Sequence, residues 1–328
     1  MTPSAPAGAV RFLVVGSPRS GTTLVQRLAC EIPGVAMPPE THFFTRFAVG
    51  LLTRHRFPLS GPELTAVVAT FAAADAAHGL DVDVEAVVAD LGGACGGPLE
   101  LFTALVRQLA GPADVLGEKT PGHLVWWRPL SQAAPWMRFV VVVRDPRAVV
   151  GSSLEMPWSH DPTLPAWGDR MHLVFAALWS FFQGQVPLMQ SRLGPDRCLV
   201  LRYEDVVVAP DATRARLAAF LGRPVGREPT PAPAGIVLPW ESWKAGALGP
   251  VGEDRVTAWH EQLAPDRAAE IAALCRTGMR RFGYGDGLPS STEAAVRLAR
   301  LGPLPLLGLA RYGRGRRLHL KTVNGYSL

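Results

Sequence analysis

The chain reads as one α/β domain, a parallel sheet flanked by helices, and three observations predict it. A short apolar run at 11–15 ends at Gly16, after which Leu24, Val25, Leu28, Ala29 and Ile32 recur at helical spacing. Three more apolar runs, at 115–117, 139–143 and 198–201, are each stopped by charged or turn residues. Helical patterns separate these runs. Short buried strands alternating with amphipathic helices form a parallel sheet covered on both faces.

In chain order, residues 1–10 are small and contain proline, the composition of a loose lead-in. After the opening strand and helix, 51–115 is Ala-rich and helical in pattern, broken at Gly92-Gly93 and at Gly96-Gly97-Pro98. The run at 115–117 passes into Glu118-Lys119-Thr120-Pro121. The clearest strand, 139–143, is β-branched and ends at Arg144-Asp145-Pro146, with a helix expected over 147–154. A helical stretch at 169–191 precedes the strand at 198–201, which runs into Arg202-Tyr203-Glu204-Asp205. Helices are expected at 211–222 and 265–282, with a Pro/Gly-rich loop at 223–239 between them. From 287 onward the chain turns basic. With no internal repeat and no earlier boundary, the expectation is one domain over 1–287 and a basic, partly apolar tail over 288–328.

Composition narrows the function classes. Apolar residues make up 48% of 328, enough for a sizeable core, and the net charge is +5. That modest charge suits an anionic small ligand or a membrane surface and does not argue for nucleic acid. Cys30, Cys95, Cys198 and Cys275 are scattered without a CxxC pair, which argues against a zinc site or a stapled secreted fold. No apolar run nears the ~20 residues of a spanning helix, and the N-terminus lacks a signal-peptide pattern, so the expected compartment is the cytoplasm. Only Lys119, Lys244 and Lys321 are lysines among 33 basic residues, which singles each of them out.

The loop Gly16-Ser17-Pro18-Arg19-Ser20-Gly21-Thr22-Thr23 joins the first strand to the first helix. A glycine-rich turn in that place aims backbone N–H groups at one spot, where the helix dipole adds positive potential; it is a phosphate or sulfate cradle. The spacing is P-loop-like, but a nucleotide triphosphatase needs lysine after the second glycine, where this chain has Thr22. The cation stands earlier, at Arg19. A donor with one phosphate–sulfate pair and no triphosphate suits that change. The competing reading is an ATP-dependent small-molecule kinase of the P-loop class. It would need Asp145 on magnesium, yet Arg144 intervenes after the strand and would repel the ion.

The run from Val15 to Leu24 resembles the 5′-phosphosulfate loop of the sulfotransferases that use 3′-phosphoadenosine 5′-phosphosulfate (PAPS). It is closest to the branch of bacterial small-molecule enzymes and protein-tyrosine sulfotransferases, which carry Arg where the cytosolic enzymes carry Lys. The resemblance runs in order from about 11 to 285, with 51–115 and 155–195 similar only in general character. It implies an enzyme that moves a sulfuryl group from PAPS, without metal, to a hydroxyl of a small molecule, glycan or lipid. By the same resemblance Arg19, Ser20, Gly21, Thr22 and Thr23 hold the 5′-phosphosulfate, with Arg19 also serving catalysis. Arg144 and Ser152, eight residues apart, resemble the family's 3′-phosphate site. A structural pairing of Arg144 with Asp145 or Glu118 is the alternative.

Glu40, in Pro38-Pro39-Glu40-Thr41-His42, stands where tyrosine-type enzymes place their general base. His42 is its rival, since the cytosolic branch uses histidine, and a structural pairing of Glu40 with an arginine is a third reading. Lys119 matches the lysine that neutralises charge on the bridging oxygen as the phosphate leaves. Tyr203 matches a nucleotide-binding tyrosine, although a core tyrosine would look the same. Lys244, in Trp243-Lys244-Ala245-Gly246, and the following Gly249-Pro250-Val251 resemble the late loop that folds over the nucleotide. Ala258 departs from the pattern, because tyrosine-type enzymes carry a basic residue before the tryptophan, here Trp259.

The acceptor pocket is expected from 41–57, 121–128 and 155–182. Their aromatics Phe43, Phe44, Trp126, Trp127, Trp158, His160, Trp167 and Trp179 suit an apolar or sugar-stacking wall, or a core. Segment 301–321 joins an apolar run to Arg311, Arg314, Arg316, Arg317 and Lys321, a pattern for peripheral contact with an anionic membrane or for a solvated tail.

Overall fold

Strand β1 (Val10–Gly16) is apolar at nearly every position because both of its faces are covered. Leu13 and Val15 enter one core cluster while Phe12 and Val14 enter the other, the two-residue alternation of a pleated strand, and Val10 joins the Leu13 side across a register shift between Val10 and Phe12. The computed structural model describes residues 4–76, 79–156, 170–226, 235–249 and 252–302. After β1 come α1 (Thr22–Cys30), β2 (Val35–Ala36) and α2 (Ala48–Arg54). A short antiparallel pair, β3 (Leu59–Ser60) and β4 (Ala94–Cys95), brackets α3 (Gly61–Ala76) and α4 (Val84–Asp90). Then follow α5 (Pro98–Ala110), β5 (Val115–Lys119), α6 (Trp127–Ala133), β6 (Arg138–Val143) and α7 (Pro146–Leu154). Helices α8 (Met171–Gln183) and α9 (Val186–Leu193) lead to β7 (Cys198–Arg202), α10 (Tyr203–Val208) and α11 (Pro210–Leu221). The last described elements are α12 (Asp254–Thr257), α13 (Trp259–Gln262), α14 (Pro265–Arg281) and α15 (Ser291–Leu301).

The main sheet is parallel throughout, in the order β2-β5-β1-β6-β7. From β1 the chain moves to one side for β2 and β5, then crosses to the other for β6 and β7. That reversal is a topological switch point, and ligands bind outside the carboxyl ends of the strands at such a point. Helices α1, α10 and α11 cover one face of the sheet, and α5, α6 and α9 cover the other. The α/β class with a parallel, helix-flanked sheet is therefore as the sequence predicts.

The β3–β4 pair and helix α15 are among the elements with no counterpart in the sequence reading. The β3–β4 pair is too short to show any periodicity. Helix α15 opens with a capping box between Ser290 and Glu293 and packs on α14, with Ala294 and Leu301 buried. The fold thus continues through 301, past the boundary drawn at 287. The tail segment singled out for membrane contact lies, beyond Gly302, outside the described residues. All four cysteines are buried and unpaired, and no described helix is long and apolar enough to cross a membrane.

Candidate active site

The carboxyl ends of β1, β5, β6 and β7 bring the sequence-predicted residues into one crevice. Gly21 is the N-cap of helix α1; its φ of 91° is left-handed and its missing side chain leaves the first N–H groups without a side-chain cap. A Cβ on Gly21 would come within 2.2 Å of Tyr203 Cδ2, so glycine is required here twice over, by backbone and by close approach. Gly16 is equally constrained, because its Cβ would meet the Val142 carbonyl at 2.6 Å. Arg19 is also left-handed, at φ 68°, a strained choice for a long side chain. Its Nε donates to Ser152 Oγ at 3.0 Å, which ties the β1–α1 loop to α7.

Arg144 follows β6 and is mostly buried. Its guanidinium donates to the carbonyls of Arg19 (3.1 Å) and Arg255 (2.6 Å) and lies 4.3 Å from the centre of the Tyr203 ring. The structural pairings weighed for Arg144 are absent among the described residues. Asp145 pairs with Arg147 at 2.6 Å instead, and Glu118 is engaged elsewhere. Burial pushes the Arg19 guanidinium down to about 10, with Arg144 and Arg255 adding to the effect and Glu40 and Glu155 opposing it. Ser20 Oγ and Arg144 Nε are buried without a hydrogen-bond partner. Like charges gathered beside orphaned donors and an uncapped helix start are the chemistry of an anion cradle. Arg255, three positions before Ala258, escaped the sequence reading because no motif marks it.

The second half of the crevice lies at the end of β5. Adjacent strand residues point to opposite faces, and Glu118 and Lys119 divide in this way. Lys119 is fully buried; its Nζ donates to Thr23 Oγ1 at 3.3 Å and pairs with Glu40. Glu40 Oε1 also accepts from Lys244 Nζ at 2.6 Å, and Oε2 lies 3.3 Å from His42 Nε2. Burial pushes the Glu40 carboxyl up, but Lys119, Lys244 and His42 together outweigh it and hold the group well below the usual carboxylate range. Burial pushes His42 down to about 4, against the pull of Glu40, so its imidazole is neutral near pH 7. Burial likewise lowers Lys119, against Glu40. Lys244, which the resemblance places in the loop over the nucleotide, sits at the Glu40 end, in a two-turn 3-10 helix, Ser242–Ala247.

On the opposite face of β5, Glu118 clamps the Glu40–His42 segment from behind. It accepts from Thr41 N (3.1 Å), Thr41 Oγ1 (3.0 Å) and Thr120 Oγ1 (2.6 Å). His123 completes the set: its Nε2 accepts from Phe44 N–H at 3.2 Å, so the ring proton sits on Nδ1 and is donated to Glu118 at 2.9 Å. Thr120 Oγ1 accepts from His42 N–H at 3.2 Å, supporting the left-handed φ of 51° at His42. The sequence reading missed this network, which joins residues 77 positions apart. The aromatics weighed for the acceptor wall divide as well. Phe43, Phe44, Trp126, Trp127 and Trp179 are core, each at most 3% exposed, whereas Trp158, His160 and Trp167 lie outside the described residues.

The comparisons agree with this geometry. The sulfotransferase family profile matches residues 12–227. Nodulation protein NoeE of Sinorhizobium fredii (strain NBRC 101917 / NGR234) is 25% identical over 311 residues, 86% of this chain and 68% of its own length. Protein-tyrosine sulfotransferase 2 of Gallus gallus is 25% identical over 214 residues, 64% of this chain and half of its own. Two solved structures share the fold. The sulfotransferase domain from the curacin biosynthetic pathway has a TM-score of 0.54 at 19% identity, covering 82% of this chain and 98% of that domain. The sulfotransferase domain of the Synechococcus PCC 7002 olefin synthase has 0.50 at 17%, covering 83% and 96%. None of these matches supports the kinase alternative. With a family match over most of its length and the anion cradle at the expected strand ends, this chain belongs to the sulfotransferase family.

Proposed function

We propose that the chain transfers a sulfuryl group from PAPS to a hydroxyl acceptor by in-line displacement. The observation that supports this most is the junction at Lys119, whose Nζ reaches both Thr23 of the donor loop and Glu40 of the base segment. The acceptor oxygen forms a bond to sulfur as the bond from sulfur to the bridging phosphate oxygen breaks. The hydroxyl proton passes to Glu40, and the electron pair stays on the departing oxygen, beside Lys119. The products are a sulfate ester and adenosine 3′,5′-bisphosphate. Such chemistry depends on positioning and on cations aimed at developing charge.

The residues fit the donor. Orphaned donors at Ser20 and Arg144, the uncapped start of α1 and the cluster of Arg19, Arg144 and Arg255 all call for phosphate or sulfate oxygens. Arg19 to Thr23 would hold the 5′-phosphosulfate, Arg144 and Ser152 the 3′-phosphate, and Tyr203 would lie beside the nucleotide. Calorimetry tests this directly: adenosine 3′,5′-bisphosphate should bind without metal. Tight binding of ATP with magnesium and none of the bisphosphate would favour the kinase reading instead.

Small molecules, glycans and lipids remain the acceptor classes, and a radiolabelled-PAPS screen across them identifies the substrate. A cytoplasmic site of action fits four unpaired buried thiols. Peripheral contact of 301–321 with an anionic membrane would favour lipids or lipid-linked sugars. Because α15 is part of the packed fold, the deletion for that test is 303–328. Anionic vesicles should sediment the full chain and leave the shortened one behind; equal non-binding ends the idea.

A further inference from the structure

Only three lysines occur among the 33 basic residues of this chain, and two of them, Lys119 and Lys244, converge on one carboxylate oxygen, Glu40 Oε1. The other ion pairs among the described residues are made by arginine or histidine. Lysine differs from arginine as a compact point charge that fits between two carboxylates, whereas a planar fork spreads its donors. Lys244 occupies such a place, with Glu40 on one side and Glu241 on the other. Its side chain is 10% exposed, and those of Glu40 and Glu241 are 10% and 4% exposed. Glu241, Lys244, Glu40 and Lys119 thus form a buried row of alternating charge that ends on Thr23 of the donor loop.

The segment carrying Lys244 is itself anchored. Lys244 N–H donates to the Glu241 carbonyl at 2.8 Å, and Glu241 Oε2 accepts from Leu238 N–H at 3.1 Å. Downstream, Arg27 of α1 donates to the carbonyls of Ala247 (2.9 Å) and Gly249 (2.5 Å). The same helix that opens with the anion loop therefore fixes the turn that presents Lys244.

We infer that Lys244 is a positioning residue for the Glu40 carboxylate, a second lysine of the reaction centre and not a ligand of the nucleotide. This rests on the reading of Glu40 as the base. The groups facing Glu40 are Lys119 from β5, Lys244 from the 242–247 turn, His42 from its own segment and, at longer range, Arg19 from the donor loop. Lys119 is shared with Thr23 and stands where charge builds on the departing oxygen. A donor that draws Lys119 away leaves Lys244 as the cation that keeps Glu40 ionised and aimed.

The test is the titration of Glu40 by carbon-13 NMR on glutamate-labelled protein, with the signal assigned by its loss in Glu40→Gln. In Lys244→Ala and Lys244→Gln the midpoint should rise by about one pH unit or more, because an opposite charge is removed. Lys244→Arg keeps the charge and should stay within about half a unit of the parent. Affinity for adenosine 3′,5′-bisphosphate should change by less than about threefold in all three variants. An unmoved midpoint overturns the inference, and so does a loss of bisphosphate affinity of about tenfold or more, which would make Lys244 a nucleotide ligand. If the parent protein fails to bind the bisphosphate at all, the sulfotransferase reading of the site fails while the titration still decides the role of Lys244.

Discussion

Around the β1–α1 loop, Arg19, Arg144 and Arg255 stand together without a carboxylate partner among the described residues, and Ser20 Oγ is buried with nothing to bond. A short way along the crevice, at the end of β5, Lys119 and Lys244 meet Glu40, Glu241 balances Lys244, and Glu118 accepts four hydrogen bonds. The first region gathers charge of one sign; the second is neutralised from within. Like charges held close in a partly buried place oppose folding until an anion joins them, whereas paired charges support the fold and are costly to break. The Gly16–Thr23 loop thus gathers positive charge without its own counter-charge, whereas the Glu40 segment carries its own.

The largest expected effect concerns turnover. Glu40→Gln and Lys119→Ala should each lower the rate by about 10²–10⁴-fold, the usual worth of a positioned base or charge stabiliser. Bisphosphate binding should largely survive. A fully active Glu40→Gln protein would move the base elsewhere, with His42 next in line. Next in size is a contrast in stability. Glu40→Gln leaves two lysines facing each other and should cost about 3 kcal/mol in urea unfolding. Arg19→Ala removes one of three like charges and should stay within about 0.5 kcal/mol of the parent while it weakens bisphosphate binding. Equal losses from both substitutions would erase the distinction between the two regions.

Ligand linkage sharpens the same contrast. Adenosine 3′,5′-bisphosphate at a hundredfold excess over its Kd should stabilise the protein by about 2.7 kcal/mol, and Arg144→Ala should lose most of that gain at the same concentration. Gly21→Ala should cost about 1–2 kcal/mol from the left-handed backbone, with further loss as the Tyr203 ring is displaced. The smallest effect is on pH dependence. The Glu40 carboxyl is depressed in the folded state, so its stabilising contribution is complete above the ordinary carboxylate range and is lost as the pH falls towards the depressed value. Acid unfolding of Glu40→Gln, followed from about pH 5 downward, should accordingly show a shallower loss of stability than the parent.

The strands and the anion loop were legible because each is a contiguous signal. The 139–143 run announces a buried strand, and Gly16 to Thr23 announces an anion turn. Arg144 and Ser152, eight residues apart across one strand end and one helix start, both reach Arg19 of that loop in the structure. For Phe43, Phe44, Trp126, Trp127 and Trp179 the sequence left wall and core open, and the structure places them in the core, because an aromatic that fills a core and one that lines a pocket have the same local pattern. The capping box of α15 could have been read from Ser290 and Glu293, but the change to a basic composition masked it.

What the sequence determined by itself is the α/β class, the cradle at Gly16–Thr23 and the choice of Arg19 over a P-loop lysine, since backbone conformation and side-chain type within a few residues decide these. What only the tertiary structure decided is which charges meet. Glu118 reaches Thr41 across 77 residues and Lys244 reaches Glu40 across 204. Those contacts depend on the sheet order that lays β5 beside β1 and on the anchoring of the late turn to α1 by Arg27. Coulomb interactions fall with distance in space and are indifferent to separation along the chain.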